Sequence, residues 1–413
     1  MGVRFIHTAD LQIGMKASHV AKAADEVRKA RVETAGRIAA LAKQKNVDFL
    51  LVAGDLFEDN AVGNDVVHQV LHALEKAAPT PVYILPGNHD LLVPGGIYER
   101  AAFRSGPRNV HVLRSTEPVM IGDAALLPSP IQQKNSDRDP TRVFLETSSS
   151  ANERIKIGVA HGSPRIEGKY KPDDHPIALD AAERYGLDYL ALGHWHSWLQ
   201  INPRMLMPGT PEPTNFGESS GRAALVSIDA PGALPSVEKL QVAGLRWEER
   251  GFDAEAGASA LDHDVKAWIG ELEDPARSLV RVRLVGPITS DVEGIVVELD
   301  DWLRARVMYS EIDMSGTSFA LSRGRLREIA ASHPFVAGLL ADLSTLAATA
   351  SLGATDETFL SQAAAASEEE PRAAGADPRA LRELLRESGL ELDADVVQEA
   401  MRQLGHCVGE VWR

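Results

Sequence analysis

Apolar residues in the first half of the chain gather in short unbroken runs. The runs are Val3–Thr8, Val47–Ala53, Pro81–Leu85, Ile155–Ala160 and Leu187–Leu192. Runs of this length with few polar breaks fit strands covered on both faces. The stretches between them are longer and rich in Ala, Lys, Arg and Glu, and they predict helices over Ser18–Lys45, Asn64–Ala77 and Pro176–Tyr185. Strand–helix alternation of this kind predicts an α/β layered fold, with central sheets flanked by helices. Residues 129–153 are polar and predict a surface loop within the same domain. Ala224–Ile228 predicts a closing strand, and the turn-rich Asp229–Pro235 marks the domain edge.

The pattern then changes. Leu279–Val285 alternates as a strand, and Gly294–Arg306 gathers Ile295, Val296, Leu299, Trp302 and Leu303 on one helical face. Val307–Met314 predicts another strand, so 240–335 reads as a small α+β module. Beyond it, Pro334–Leu346, Asp377–Leu385 and Ala394–Leu404 predict helices. Asp377 is placed as N-cap and Pro378 at the first helical position. Ala363–Asp377 is Ala/Glu/Pro/Gly-biased and reads as a linker. The expected division is an α/β domain at 1–232, the small module at 240–335, and a helical C-terminal region at 336–413.

Composition narrows the classes. Of 413 residues, 44% are hydrophobic and 25% charged, which excludes a chain disordered throughout. Lys and Arg total 43 against 59 Asp and Glu, a net charge of -16, which excludes a uniformly basic nucleic-acid coat. The single cysteine, Cys407, excludes an intrachain disulfide and a Cys-based zinc cage, and it predicts a reducing, cytoplasmic location. The opening residues do not read as a signal peptide, and Ile6 stands where a myristoylation signal needs Ser or Thr. No run approaches the ~20 apolar residues of a membrane span.

Five polar motifs each follow a predicted strand: Asp10-Leu11-Gln12, Gly54-Asp55-Leu56-Phe57, Gly87-Asn88-His89-Asp90, Ala160-His161-Gly162 and Gly193-His194-Trp195-His196. Ligands of open α/β sheets bind beyond the carboxyl ends of strands, so five such loops can converge on one edge. This mix of carboxylate, amide and imidazole suits Mn, Fe, Zn and similar divalent ions. The set is large enough for two ions sharing a carboxylate, an arrangement that holds a bridging hydroxide and clamps a phosphoryl group in displacement. Taken singly each motif is ordinary, since Gly-Asp and Gly-Asn are turn signals and a lone His is more often a core residue. Their order and placement together point to a metal site.

The order Asp, Gly-Asp, Gly-Asn-His-Asp, His-Gly, Gly-His-x-His resembles the binuclear metallophosphoesterase (calcineurin-like) family. Phe5-Ile6-His7-Thr8-Ala9-Asp10, Pro208-Gly209-Thr210-Pro211-Glu212 and Asn215-Phe216-Gly217-Glu218 resemble SbcD-type DNA repair exonucleases. The likeness is specific over about residues 1–230, weak over 240–335, where it implies the small capping, DNA-binding domain those nucleases carry, and absent in the tail. It implies one metal on Asp10, Gln12, Asp55 and His196, and another on Asp55, Asn88, His161 and His194, with Asp55 bridging. It further implies that His89 orients the phosphate and protonates the leaving oxygen while Asp90 holds its ring. Mn is the implied metal, with Mg, Fe or Zn as alternatives. The implied partners are DNA, an SbcC-type SMC-like ATPase and a second copy of the chain.

One position departs from the pattern. Gln12 stands where the family usually has His, and an amide oxygen is a poorer donor than imidazole to Mn, Zn or Fe. It can ligate weakly, hold a water on the metal, or leave a single-metal site. Three functions therefore stay open: a metal-dependent DNA exonuclease, a phosphodiesterase for nucleotides or cyclic nucleotides, and a low-activity scaffold weakened by Gln12. His7 reads as structural, and Trp195 and Trp198 as packing residues. Lys16, Arg100, Arg104, Lys134, Lys169 and Lys171 are candidate phosphate contacts as much as solvated charge. Leu381, Leu384, Leu385 and Leu390 are candidate anchors for a partner.

Overall fold

The computed structural model describes residues 2–151 and 153–319. The expected tail helices, the linker, Cys407 and the four leucines at 381–390 lie outside the described residues. The chain divides into two compact units that interleave along the sequence. Of the described residues, the larger takes those up to 249 with 272–281 and 303–311, and the smaller takes 250–271, 282–302 and 312–319.

The larger unit begins with four strands, β1 (Val3–Thr8), β2 (Phe49–Ala53), β3 (Val82–Leu85) and β4 (Val110–Val112). They pair in parallel, in that order. Helices α1 (Ala24–Gln44) and α2 (Asn64–Glu75) make the first two crossovers. A second sheet follows: β5 (Val119–Ile121), β6 (Ala124–Pro128), β7 (Ile155–His161), β8 (Tyr189–Gly193), β9 (Leu199–Asn202) and β10 (Met205–Met207). Its order is β5-β6-β7-β8-β10-β9. The chain then returns to the first sheet as β11 (Arg222–Ile228) and β12 (Ser236–Gln241), giving β12-β11-β1-β2-β3-β4.

Side-chain alternation explains the layering. Every residue of β2 is buried because successive side chains go to opposite, equally covered faces. Leu50 and Val52 join Ile38 and Ala42 of α1 and Val70 and Leu74 of α2 in one core. Phe49 and Leu51 turn the other way and meet Leu126, Ile157, Val159 and Tyr189 of the second sheet. Phe5 stacks on Phe49 with centroids 4.7 Å apart, and Tyr189 meets Phe5 edge-on at 5.6 Å. The second sheet's outer face is covered by Phe144, Ile177 and Ala181. Two sheets thus lie face to face between outer layers, a mixed α/β fold as expected.

Three local readings change. The helix expected over Ser18–Lys45 breaks into a 3-10 segment, Ser18–Ala23, and α1, with Val20 and Ala21 non-helical and Ala21 at φ 38°. The helix expected over Pro176–Tyr185 shrinks to Ala181–Arg184. The backbone at its start is bonded across loops instead: His175 N–H, just before it, donates to Ser136 O at 2.9 Å and Ile177 N–H to Ser163 O at 2.7 Å. The polar stretch 129–153 is also more ordered than a loop: Asp139 caps Pro140–Val143, and Phe144 is buried in the following turn.

The third sheet is β13 (Arg246–Asp253), β14 (Ser278–Ile288) and β15 (Tyr309–Phe319), in that order. Helices Ala258–Glu271 and Ser290–Arg304 connect its strands. In the smaller unit Leu261, Val265, Trp268 and Ile269 form the buried face of the first helix, and Val292 and Leu299 are buried on the second.

Candidate metal centre

Parallel pairing sends the loops after β1, β2 and β3 out at one end of the first sheet, and those after β7 and β8 out at one end of the second. Two contacts tie these ends together. His161 Nδ1 lies 3.0 Å from the Ala53 carbonyl, so Nδ1 carries the hydrogen and Nε2 faces the other way. His194 N–H donates to both carboxylate oxygens of Asp10 at 3.0 Å. The loop backbones are strained: φ is 54° at Asp10, 49° at Gln12, 51° at Asp55 and 121° at His194. Such φ values persist only where surrounding structure enforces them, commonly at functional sites. Glycine makes the close approach feasible. A Cβ on Gly54, at φ 99°, would lie 1.9 Å from His161 Nδ1, and one on Gly87 would lie 2.1 Å from Asp55 Oδ1.

Asp10, Asp55 and His161 offer one ligand atom each within 4.8 Å of one another, all buried. Asn88 Oδ1 lies 2.9 Å from His161 Nε2 and 3.2 Å from His194 Nδ1, and Asp55 Oδ2 lies 3.4 Å from His161 Nε2. The His89 backbone N–H donates to Asp55 Oδ1 at 3.0 Å. Gln12 Nε2 donates to Asp55 Oδ2 at 3.0 Å, which leaves Gln12 Oε1 buried with no partner. Carboxylate, amide and imidazole donors thus converge on one small buried volume, a set that suits a divalent cation.

The titration behaviour follows from this crowding. Burial alone would lower the His161 pKa, but Asp55 and Asp10 raise it to about 10. Burial would raise Asp55, yet His161 and His89 hold it below the usual carboxylate range. Asp10 is raised, by burial first and by the Asp55 charge. His196 is raised against burial by Glu218 and by Asp10, so it lies near enough to Asp10 to feel its charge. Asp10, Asp55 and His161, with the Asn88 amide oxygen and the His194 ring beside them, make a donor set that fits a divalent ion.

Outer partners fix these rings. His194 Nε2 lies 2.8 Å from Asp174 Oδ2, which also accepts from Ser163 Oγ at 2.6 Å. Ser163 in turn accepts from Trp195 Nε1 at 2.9 Å. His196 Nδ1 lies 2.9 Å from Thr214 Oγ1, and the Thr214 hydroxyl donates to Glu218. Asp174, Ser163 and Thr214 were not foreseen. Asp174 sits in a polar loop with no spacing rule to mark it, whereas Glu218 closes one of the motifs already singled out.

The expected partnership of Asp90 with the His89 ring is corrected. His89 Nδ1 donates to the Glu58 carbonyl at 2.9 Å, leaving Nε2 free of that bond. Asp90 instead accepts from Gly87 N–H at 2.7 Å, Phe57 N–H at 3.0 Å and Tyr98 Oη at 2.5 Å, joining two loops. Burial and the Asp55 charge raise its pKa to about 6 against those hydrogen bonds.

Other expected residues fall elsewhere. His7 is buried against the Tyr189 hydroxyl at 3.0 Å. Trp195 and Trp198 pack at the margins of the two cores. Arg100 is bound to the Val62 and Asn60 carbonyls and to Asn64, whereas Lys16, Arg104, Lys134, Lys169 and Lys171 are exposed. The Thr210–Glu212 motif has a structural role. Buried Arg31 of α1 reaches the Leu11 carbonyl at 2.6 Å and the Glu212 and Pro213 carbonyls at 2.9 and 3.0 Å.

Residues 3–198 match the sequence pattern of the family described as calcineurin-like phosphoesterase. This stretch is a calcineurin-like phosphoesterase domain. Members of this family are phosphoesterases that use divalent metal ions. The chain is similar to the uncharacterized metallophosphoesterase YhaO of Bacillus subtilis, 22% identical over 60% of this chain and 62% of that protein. It is similar to the UDP-2,3-diacylglucosamine hydrolase of Xanthomonas campestris, 28% identical over 36% of this chain and 69% of that enzyme. It is also similar to a component of the nuclease SbcCD of Bacillus subtilis, 23% identical over 65% of this chain and 78% of that component. The chain thus spans 62% of the length of YhaO. Among the described residues no helix is long and apolar enough to cross a membrane.

Proposed function

We propose that the chain is a metal-dependent DNA nuclease acting on DNA ends. The observation that carries this reading is the ligand constellation around Asp55, with His89 Nδ1 tied to the Glu58 carbonyl and its Nε2 left for chemistry. Two features favour DNA over a small phosphodiester. The likeness to the SbcCD nuclease component covers 65% of this chain, while that to the sugar-nucleotide hydrolase covers 36%. The Pro208–Glu218 motif supplies Thr214 and Glu218, which hold His196.

Divalent ions, when bound, supply positive charge that draws in and polarises a phosphodiester. Asp10, Gln12, Asp55, Asn88, His161, His194 and His196 hold them in this reading, with Mn²⁺ as the working metal. His89 does the proton work. Its Nδ1–H is held by a carbonyl, so the protonated ring delivers the hydrogen on Nε2 to the departing oxygen. The further reading, by likeness to the SbcCD component, is a cytoplasmic repair enzyme that acts as a homodimer with an SbcC-type ATPase.

The test is digestion of end-labelled linear duplex and single-stranded DNA by the full chain with Mn²⁺, beside a generic aryl phosphodiester. Shortening of DNA with slow turnover of the aryl ester is expected. Fast turnover of the small ester with intact DNA would replace this reading by the small-substrate phosphodiesterase.

A further inference from the structure

We propose that Gln12 is a metal ligand through Oε1, and that it makes the position shared with Asp10, Asp55 and His196 an oxygen-rich site preferring Mn²⁺ or Mg²⁺ over Zn²⁺. The inference rests on the phosphoesterase reading of the site.

The orientation of the amide is fixed by chemistry. Gln12 Nε2 donates to Asp55 Oδ2 at 3.0 Å, as a carboxylate oxygen requires of the amide group that faces it. Oε1 therefore points away from Asp55. Gln12 is 3% exposed, and Oε1 has no hydrogen-bond donor. A buried carbonyl oxygen without a donor is unfavourable, and a cation is the partner that removes the penalty. The side chain is also held in place. Gln12 N–H donates to Asp55 O at 3.1 Å, Ile13 N–H donates to Leu56 O at 3.0 Å, and the residue keeps φ 49°. This backbone pins the amide between the first and second strand loops.

Donor chemistry then separates the two positions. Asn88, His161 and His194 give theirs two imidazoles beside the shared carboxylate. Gln12 leaves its own with one imidazole, His196, and three oxygens from Asp10, Asp55 and Gln12. Carboxylate and carbonyl oxygens suit Mg and Mn, whereas imidazole suits Zn, Cu and Fe. A single amide in place of an imidazole therefore shifts the preference of one position and leaves the other alone.

The test compares the parent chain with Gln12→Met and Gln12→His, titrating Mn²⁺, Mg²⁺ and Zn²⁺ separately by calorimetry, with metal content measured after gel filtration. The parent is expected to bind two Mn²⁺, and Gln12→Met to retain one. Gln12→His, which keeps a ligand and guards against a misfolded Met variant, is expected to gain at least about tenfold in Zn²⁺ affinity at one position with no matching gain for Mg²⁺. Two Mn²⁺ at parental affinity in Gln12→Met, or equal gains for Zn²⁺ and Mg²⁺ in Gln12→His, would overturn the role of Gln12 alone. A parent chain that binds no metal would overturn the phosphoesterase-site reading with it.

Discussion

Asp174 holds the outer nitrogen of His194, with Oδ2 2.8 Å from Nε2. The bond leaves His194 Nδ1 without a hydrogen and turned toward Asn88. It also draws the Asp174 pKa down to about 2, chiefly through the His194 contact and against partial burial, so the carboxylate is charged at neutral pH. A carboxylate behind a ligating imidazole fixes its tautomer and raises its basicity. Asp174→Ala is expected to weaken divalent-metal binding by about 10–100-fold at the position served by Asn88, His161 and His194. Metal titration of the variant reads this directly, and parental affinity would show that Asp174 only packs the loop.

His89 and Asp90 are adjacent but are expected to fail in different ways. His89 carries its ring on the Glu58 carbonyl, so His89→Gln should keep its metals and its stability while turnover drops about 10²–10⁴-fold. Asp90 joins Gly87, Phe57 and Tyr98, so Asp90→Ala leaves buried donors unpaired. A loss of about 1–3 kcal/mol in unfolding free energy is expected, with a smaller effect on turnover per folded molecule. Urea unfolding beside steady-state kinetics separates the two. A His89→Gln variant as active as the parent would remove His89 from the chemistry.

Arg31 is the largest fully buried side chain among the described residues, and burial lowers its pKa to about 10, so it stays charged at neutral pH. Its guanidinium binds carbonyls from the loop after β1 and from 212–213. Arg31→Leu removes the charge but strands these acceptors, and a cost of about 3–5 kcal/mol is expected. Because the Leu11 carbonyl precedes Gln12, metal affinity should fall as well. A variant that unfolds in urea at the parental midpoint would contradict this account.

The metal motifs were readable because each sits where a strand ends, and strand runs are strong local signals. What holds them was not. Asp174 and His194 lie on different loops and meet only because the backbone at 175–177 bonds across to 136 and 163 instead of forming a helix. The short strands at Val110–Val112 and Met205–Met207 carry too few residues to show a period. Asp90 was given to His89 because the two are neighbours in sequence. The carbonyl that does the work belongs to Glu58, and no side-chain pattern marks a main-chain oxygen. Arg31 reads as one more surface residue of a polar helix until the loop at 210–213 closes over it.

His7 gives the fold a pH dependence independent of catalysis. It is buried beside Tyr189, and burial lowers its pKa from 6.5 to about 3. The folded chain therefore keeps the ring neutral while the unfolded chain takes up a proton below pH 6.5. Stability tied to His7 is complete above that value and is lost as pH falls toward about 3, at up to about 1.4 kcal/mol per pH unit. Between pH 7 and pH 5 the parent should lose about 2 kcal/mol more than His7→Asn, which has no titrating ring. Urea unfolding of both proteins with a chelator present, so that metal release adds no slope of its own, measures the difference. Parallel stability curves for the two over this range would mean that His7 is protonated, or reached by water, in the folded state.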